Sequence, residues 1–157
     1  MGPRCSTETK VRGLLSLLIV VCCAVPALAQ QQATGAPLVV FLVRHAERVD
    51  AGRDPQLSPQ GDQRAAALAV LLRDSGIDHV HSTDVIRTRD TAGPVATRLG
   101  LRTVEIYDPS DLPALRARLT RDGGRHLVVG HSNTTPPLVE LFGGDAGPPI
   151  DEASEYD

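Results

Sequence analysis

Beyond residue 23 this chain of 157 residues has no cysteine, and beyond residue 10 it has no lysine. Cys5, Cys22 and Cys23 all lie in the N-terminal stretch, so the rest of the chain can form no disulfide and must be held by its apolar core. Every cation after Lys10 is an arginine. Positive charge is also in short supply. Three of the 16 basic residues (Arg4, Lys10, Arg12) and one of the 19 acidic ones (Glu8) fall within residues 1–29, which leaves 13 against 18 and a net charge of −5. That balance excludes general binding to nucleic acid or to an anionic membrane surface. Any anion must be caught by a local cluster, and arginine suits this because its planar fork matches phosphate oxygens two at a time. The longest apolar run, residues 14–25, is shorter than the roughly 20 residues that a membrane span needs. No internal repeat and no low-complexity run is present.

What is there begins with a leader. A basic start, the apolar run and Ala27-Leu28-Ala29 before Gln30 have the layout of a secretory signal peptide over residues 1–29. An uncleaved N-terminal anchor is the rival reading, and Pro26 with its small neighbours favours cleavage. Export to the periplasm or the extracellular space is therefore expected, with no stable membrane insertion once the leader is removed. Residues 30–37 are small and polar and read as a flexible tail. Residues 38–157 then form one domain, long enough for a single core.

Along that domain strands and helices alternate. Residues 38–43 are a continuous apolar, β-branched run, the pattern of a strand buried on both faces. Residues 47–57 form a loop. Ser58-Pro59 is an N-cap with proline at the first helical position, opening a helix that passes through residues 65–72 and stops near Gly76. A short strand at 78–81 follows, then a helix over 87–99 in which Pro94 is a break or a sign of a later start. Gly100 is its C-terminal cap. A strand at 103–106 and a helix within 109–121, capped by Asp111, lead to a strand at 127–129 and a helix at 134–142. The expected architecture is a three-layer α/β sandwich: a mostly parallel open sheet with helices on both faces. Residues 150–157 look like the polar lead-in to a strand with none after it, so the sheet is expected to lack its last strand.

Two of the strands end on histidine. The first run stops on Arg44-His45-Ala46-Glu47 and the last on Gly130-His131-Ser132-Asn133-Thr134. The C-terminal edge of a parallel sheet is where α/β proteins place chemistry. Moving a phosphoryl group without a metal requires a nucleophile active near neutral pH, fixed cations on the equatorial oxygens and an acid for the leaving group. A neutral imidazole meets the first need, since its ordinary pKa is about 6.5. His45 can fill that role. Arg44 and Arg87 can reach the oxygens. His131 arrives beside a helix N-terminus, with Asn133 and Thr134 as further hydrogen-bonding groups. Glu47 is a candidate for orienting substrate, and Ser82 and Thr83 for lining the pocket. Arg89 faces elsewhere on its helix. His79 and His81 alternate with Val80 on a short strand, with no carboxylate or cysteine cluster to make them a metal pair. His126 precedes its strand and is expected to be exposed.

The order Arg44-His45-Ala46-Glu47, then Arg87 to Thr91-Ala92, then Gly130-His131, resembles the histidine phosphatase superfamily, also called phosphoglycerate-mutase-like. The resemblance runs from about residue 38 to 144. It implies a metal-independent phosphomonoester hydrolase with no cofactor and a small phosphorylated substrate. His45 would become phosphohistidine, with Arg44, Arg87 and His131 as the catalytic phosphate pocket; from the residue-level reading, Glu47, Asn133 and Thr134 join Arg44 and Arg87 as the expected substrate-binding set. Ala46 stands where many members have glycine. No recognisable proton-donor motif is present, although Glu105, Asp108 and Asp111 fall in the segment where many members carry one. A phosphomutase of the same superfamily and an inactive phosphate-binding module are the alternatives.

Overall fold

The computed structural model describes residues 1–2 and 37–151. The leader, the three cysteines and most of the tail lie outside the described residues, as do residues 152–157. The elements run β1 (Val39–Arg44), α1 (Pro59–Leu71), β2 (His79–Ser82), α2 (Ile86–Arg98), β3 (Glu105–Ile106), α3 (Leu112–Asp122), β4 (Arg125–Gly130) and α4 (Thr135–Leu141). The four strands are parallel, in the order β1-β4-β2-β3. Among the described residues no helix is long and apolar enough to cross a membrane.

Local chemistry sets most of these bounds. Ser58 Oγ accepts from the Gly61 amide at 3.1 Å, and Pro59 opens α1. Asp111 Oδ1 accepts from the Ala114 amide at 3.0 Å at the start of α3. Gly100, at φ +70°, turns the chain out of α2 in a conformation that side-chain-bearing residues avoid. Helix α2 begins at Ile86 and runs through Pro94, so neither a break nor a later start is observed.

Alternation along β4 divides the core between the two sheet faces. Leu127 and Val129 join Ala69, Leu72, Val80 and Val95, under α1 and α2. Val128 joins Tyr107, Leu115, Leu119 and Leu138, under α3 and α4. The three-layer sandwich with helices on both faces is thus the observed fold. Two expectations are corrected. The apolar strand β1 is half-buried along all six residues rather than buried on both faces; among the described residues it is the terminal strand, flanked by β4 alone. His126 is 1% exposed, because β4 begins at Arg125 and carries it into the sheet. There its Nδ1 faces His81 Nε2 at 3.0 Å, and its ring stacks 4.9 Å from that of His79.

Candidate active site

The parallel register puts Arg44 beside Gly130, so β1 and β4 end side by side. The next residues are His45 and His131. The His45 amide continues the ladder by donating to the Gly130 carbonyl at 2.9 Å. The two rings meet edge to face with centroids 5.4 Å apart. A Cβ at Gly130 would lie 2.6 Å from Thr134 Oγ1 and 2.9 Å from the Tyr107 hydroxyl, so both side chains would have to shift.

His45 is 4% exposed. Its Nδ1 lies 2.8 Å from the Ala46 carbonyl, which can only accept, so Nδ1 carries the hydrogen and Nε2 the lone pair. Burial lowers its pKa from 6.5 to about 4 against the opposing pull of that hydrogen bond; Arg44, Arg87 and His131 lower it further. At neutral pH the ring is therefore an uncharged base inside a cationic surround. Behind it, Thr91 Oγ1 accepts from the Ala46 amide at 3.0 Å and donates to the Arg87 carbonyl at 2.8 Å, tying β1 to α2.

His131 stands between two other elements. Its Nδ1 is 3.4 Å from Arg87 Nη2, and its Nε2 is 2.9 Å from Thr83 Oγ1. Arg87 comes from the first turn of α2, whose leading amide, that of Ile86, donates to Asp54 Oδ1 at 2.9 Å. The same oxygen lies 3.7 Å from Arg87 Nη1. Arg44 Nη1 reaches the Asp151 carbonyl at 3.3 Å. The structure thus brings His45, His131, Arg44 and Arg87 to one end of the sheet.

Other expected site residues have different positions. Glu47 is turned toward α1, where Arg64 grips it with Nη2–Oε1 at 2.7 Å and Nε at 2.9 and 3.0 Å from the two oxygens. That grip holds its carboxyl below the usual range despite its burial. In this structure Glu47 forms an ion pair with α1. Thr134 is held in a turn: its buried hydroxyl accepts from the His131 amide at 2.8 Å and closes the turn into α4. The amides of Thr134 and Thr135 donate to the His131 carbonyl, so they serve the same turn rather than an anion. Asn133 is exposed on that turn. Glu105 is bound to His79 Nδ1 at 2.8 Å, Asp108 to Ser110, and Asp111 caps α3, so each candidate proton donor has a local structural partner. Arg89 pairs with Asp84 on the surface, as expected. Thr91 belongs to the Arg87-to-Thr91 pattern, but its bond to the Ala46 amide could not be read from it; Asp54 and Thr88 were not singled out from the sequence.

The sequence profile of the histidine phosphatase superfamily (branch 1) matches residues 40–109, which hold Arg44, His45 and Arg87. Over that segment the chain is similar to the histidine phosphatase superfamily. A probable phosphoglycerate mutase GpmB of Erwinia tasmaniensis is 38% identical over 74 residues, 43% of this chain and 34% of that protein. Its namesake in Yersinia enterocolitica is 39% identical over 74 residues, with the same shares of the two chains. The chain thus spans about a third of the length of these curated relatives. Among solved structures, the protein histidine phosphatase SixA complexed with tungstate has a TM-score of 0.55 at 24% identity, covering 64% of this chain and 73% of its own. A mycobacterial glucosyl-3-phosphoglycerate phosphatase has a TM-score of 0.57 at 16% identity, covering 64% and 76%. At these identities the solved structures show that the histidine phosphatase fold is shared.

Proposed function

We propose that this protein is an exported hydrolase of small phosphomonoesters that works through a phosphohistidine on His45. The observation that carries the reading is the state of that ring: Nδ1–H is held by the Ala46 carbonyl, Nε2 keeps its lone pair, and burial keeps the ring neutral. In the first step Nε2 attacks phosphorus, the P–O bond to the alcohol breaks, and the leaving oxygen takes a proton. In the second, water attacks the same phosphorus, the P–N bond breaks, and inorganic phosphate leaves with His45 restored. Arg44, Arg87 and His131 stabilise the charge on the equatorial oxygens in both steps. Asn133, exposed on the turn after His131, is a further candidate contact to the substrate.

The test is turnover of an aryl phosphate, whose leaving group needs little help from an acid. The full chain is expected to release phosphate, and His45→Ala is expected to lose the activity by at least about a thousandfold. Equal turnover in both would overturn the reading. Phosphate binding without turnover in either would mark a binding module instead.

The name of the curated relatives favours a second reading, phosphoryl transfer between two alcohol positions of one substrate. It requires the phosphohistidine to outlive product exchange. Trapping labelled phosphohistidine in the presence of excess acceptor alcohol, with transfer outpacing hydrolysis, would support it.

A further inference from the structure

Two buried hydroxyls have no part in the chemistry above. Thr83 follows β2 and is 1% exposed; Thr88 lies in α2 and is fully buried. Thr83 Oγ1 is 2.9 Å from Thr88 Oγ1 and 2.9 Å from His131 Nε2. Thr88 Oγ1 also lies 3.1 Å from the Thr83 carbonyl and 3.0 Å from that of Val85.

The direction of every bond in this chain can be worked out. A hydroxyl has one hydrogen. Both carbonyls facing Thr88 can only accept, so its hydrogen is committed to one of them. Thr88 therefore accepts from Thr83. The Thr83 hydrogen is committed in turn, which leaves its oxygen to accept from His131, so His131 carries a hydrogen on Nε2. The opposite side of the ring leads to the same answer independently. Arg87 has only donors, and the ring atom it faces at 3.4 Å is Nδ1, which must present a lone pair.

We infer that Thr83, backed by Thr88, is a positioning residue that holds His131 as the Nε2–H tautomer and keeps its Nδ1 turned toward Arg87 and the phosphate pocket. An Nε2–H···Oγ1 bond survives when Nδ1 gains a proton, because the acceptor does not change. The same threonine therefore orients the ring in both its neutral and its cationic state. Nδ1 can then take the proton of a phosphomonoester monoanion and become a charged donor to the phosphate oxygen without the ring turning. The consequence for turnover rests on the phosphatase reading; the tautomer does not.

Nitrogen-15 NMR of the full chain, labelled at histidine, reads the tautomer directly. In the wild type, the His131 hydrogen is expected on Nε2. Thr83→Val removes the acceptor, and Thr88→Val frees the Thr83 hydroxyl to donate to Nε2; both should raise the Nδ1–H population. Thr83→Ser should keep the wild-type spectrum. Should Thr83→Val fail to fold, Thr88→Val and Thr83→Ser still carry the comparison. An Nδ1–H tautomer in the wild type, or a spectrum unchanged by Thr88→Val, overturns the inference. With an aryl phosphate, Thr83→Val is expected to lower kcat about tenfold or more with little change in KM, and Thr83→Ser to recover most of it. A kcat left intact by Thr83→Val overturns the positioning role even if the tautomer is as stated. A wild type with the stated tautomer but no turnover refutes the phosphatase reading and leaves the tautomer assignment standing.

Discussion

At the scale of single residues, the site depends on which ring nitrogen is occupied. His45 has Nδ1 held by its own neighbour, the Ala46 carbonyl, which puts the ring lone pair on Nε2. Burial and the surrounding cations put its ionisation near 4. Its ring signals in an NMR titration are expected to move with a midpoint close to 4; a midpoint near 6.5 would refute the buried, cation-surrounded setting. Arg44, His45, Arg87 and His131 were legible in the sequence because each lies at a strand end or a helix start. The structural partners of Glu47 and Thr134, the Arg64 guanidinium on α1 and the His131 amide in the turn before α4, could not be read from the motifs themselves. Gly61 shows the same logic in backbone form. A Cβ there would sit 2.2 Å from the Glu47 carbonyl oxygen, which already accepts from the Ser58 amide. Gly61→Ala is expected to cost about 3 kcal/mol, at the upper end of overpacking, measured by denaturant unfolding.

At the scale of elements, α2 has an N-cap residue, Val85, with no side chain able to cap, and Asp54 takes over from a distant loop. That loop is pinned at its base by a bridge between Arg48 and Leu57. Asp54 therefore links the loop that follows His45 to the helix that carries Arg87. Asp54→Ala is expected to lower stability by about 1 kcal/mol and to raise KM for an aryl phosphate, since Arg87 loses its neighbour along with the cap. Asp54→Asn keeps an oxygen for the Ile86 amide and should recover the stability. Equal unfolding midpoints for wild type and Asp54→Ala would remove the capping role. Helix order and the caps Ser58 and Asp111 could be read in advance because capping is a local event. Residues 103–106 read as a strand of four, yet only Glu105–Ile106 pair, with His81 and Ser82 at the C-terminal half of β2.

At the scale of the molecule, two buried imidazoles make stability depend on pH. His45 and His81 both have pKa values lowered from 6.5 to about 4, in each case chiefly by burial; for His81, Glu105 opposes the shift while Arg118 and the neighbouring imidazoles add to it. Between these values the unfolded chain binds more protons than the folded one. Stability should therefore be full above about pH 6.5, fall as the pH drops toward 4, and level off below it. Urea unfolding at a series of pH values checks this. His45→Asn, whose amide can still donate to the Ala46 carbonyl, should show a shallower fall over that window. A wild-type stability flat from pH 6.5 to 4 would contradict the burial of both rings.

Residue order alone determined the alternation of strands and helices, the caps, and the delivery of Arg44-His45 and Gly130-His131 to strand ends, because periodicity, propensity and capping act over a few neighbouring positions. Tertiary structure decided which side chains those groups meet. It alone left β1 half-covered, drew His126 inside, turned Glu47 to Arg64, and set Asp54 beside Arg87 and Thr83 and Thr88 behind His131. Those partners lie tens of positions apart in the chain, and only the register of a folded sheet brings them within hydrogen-bonding distance.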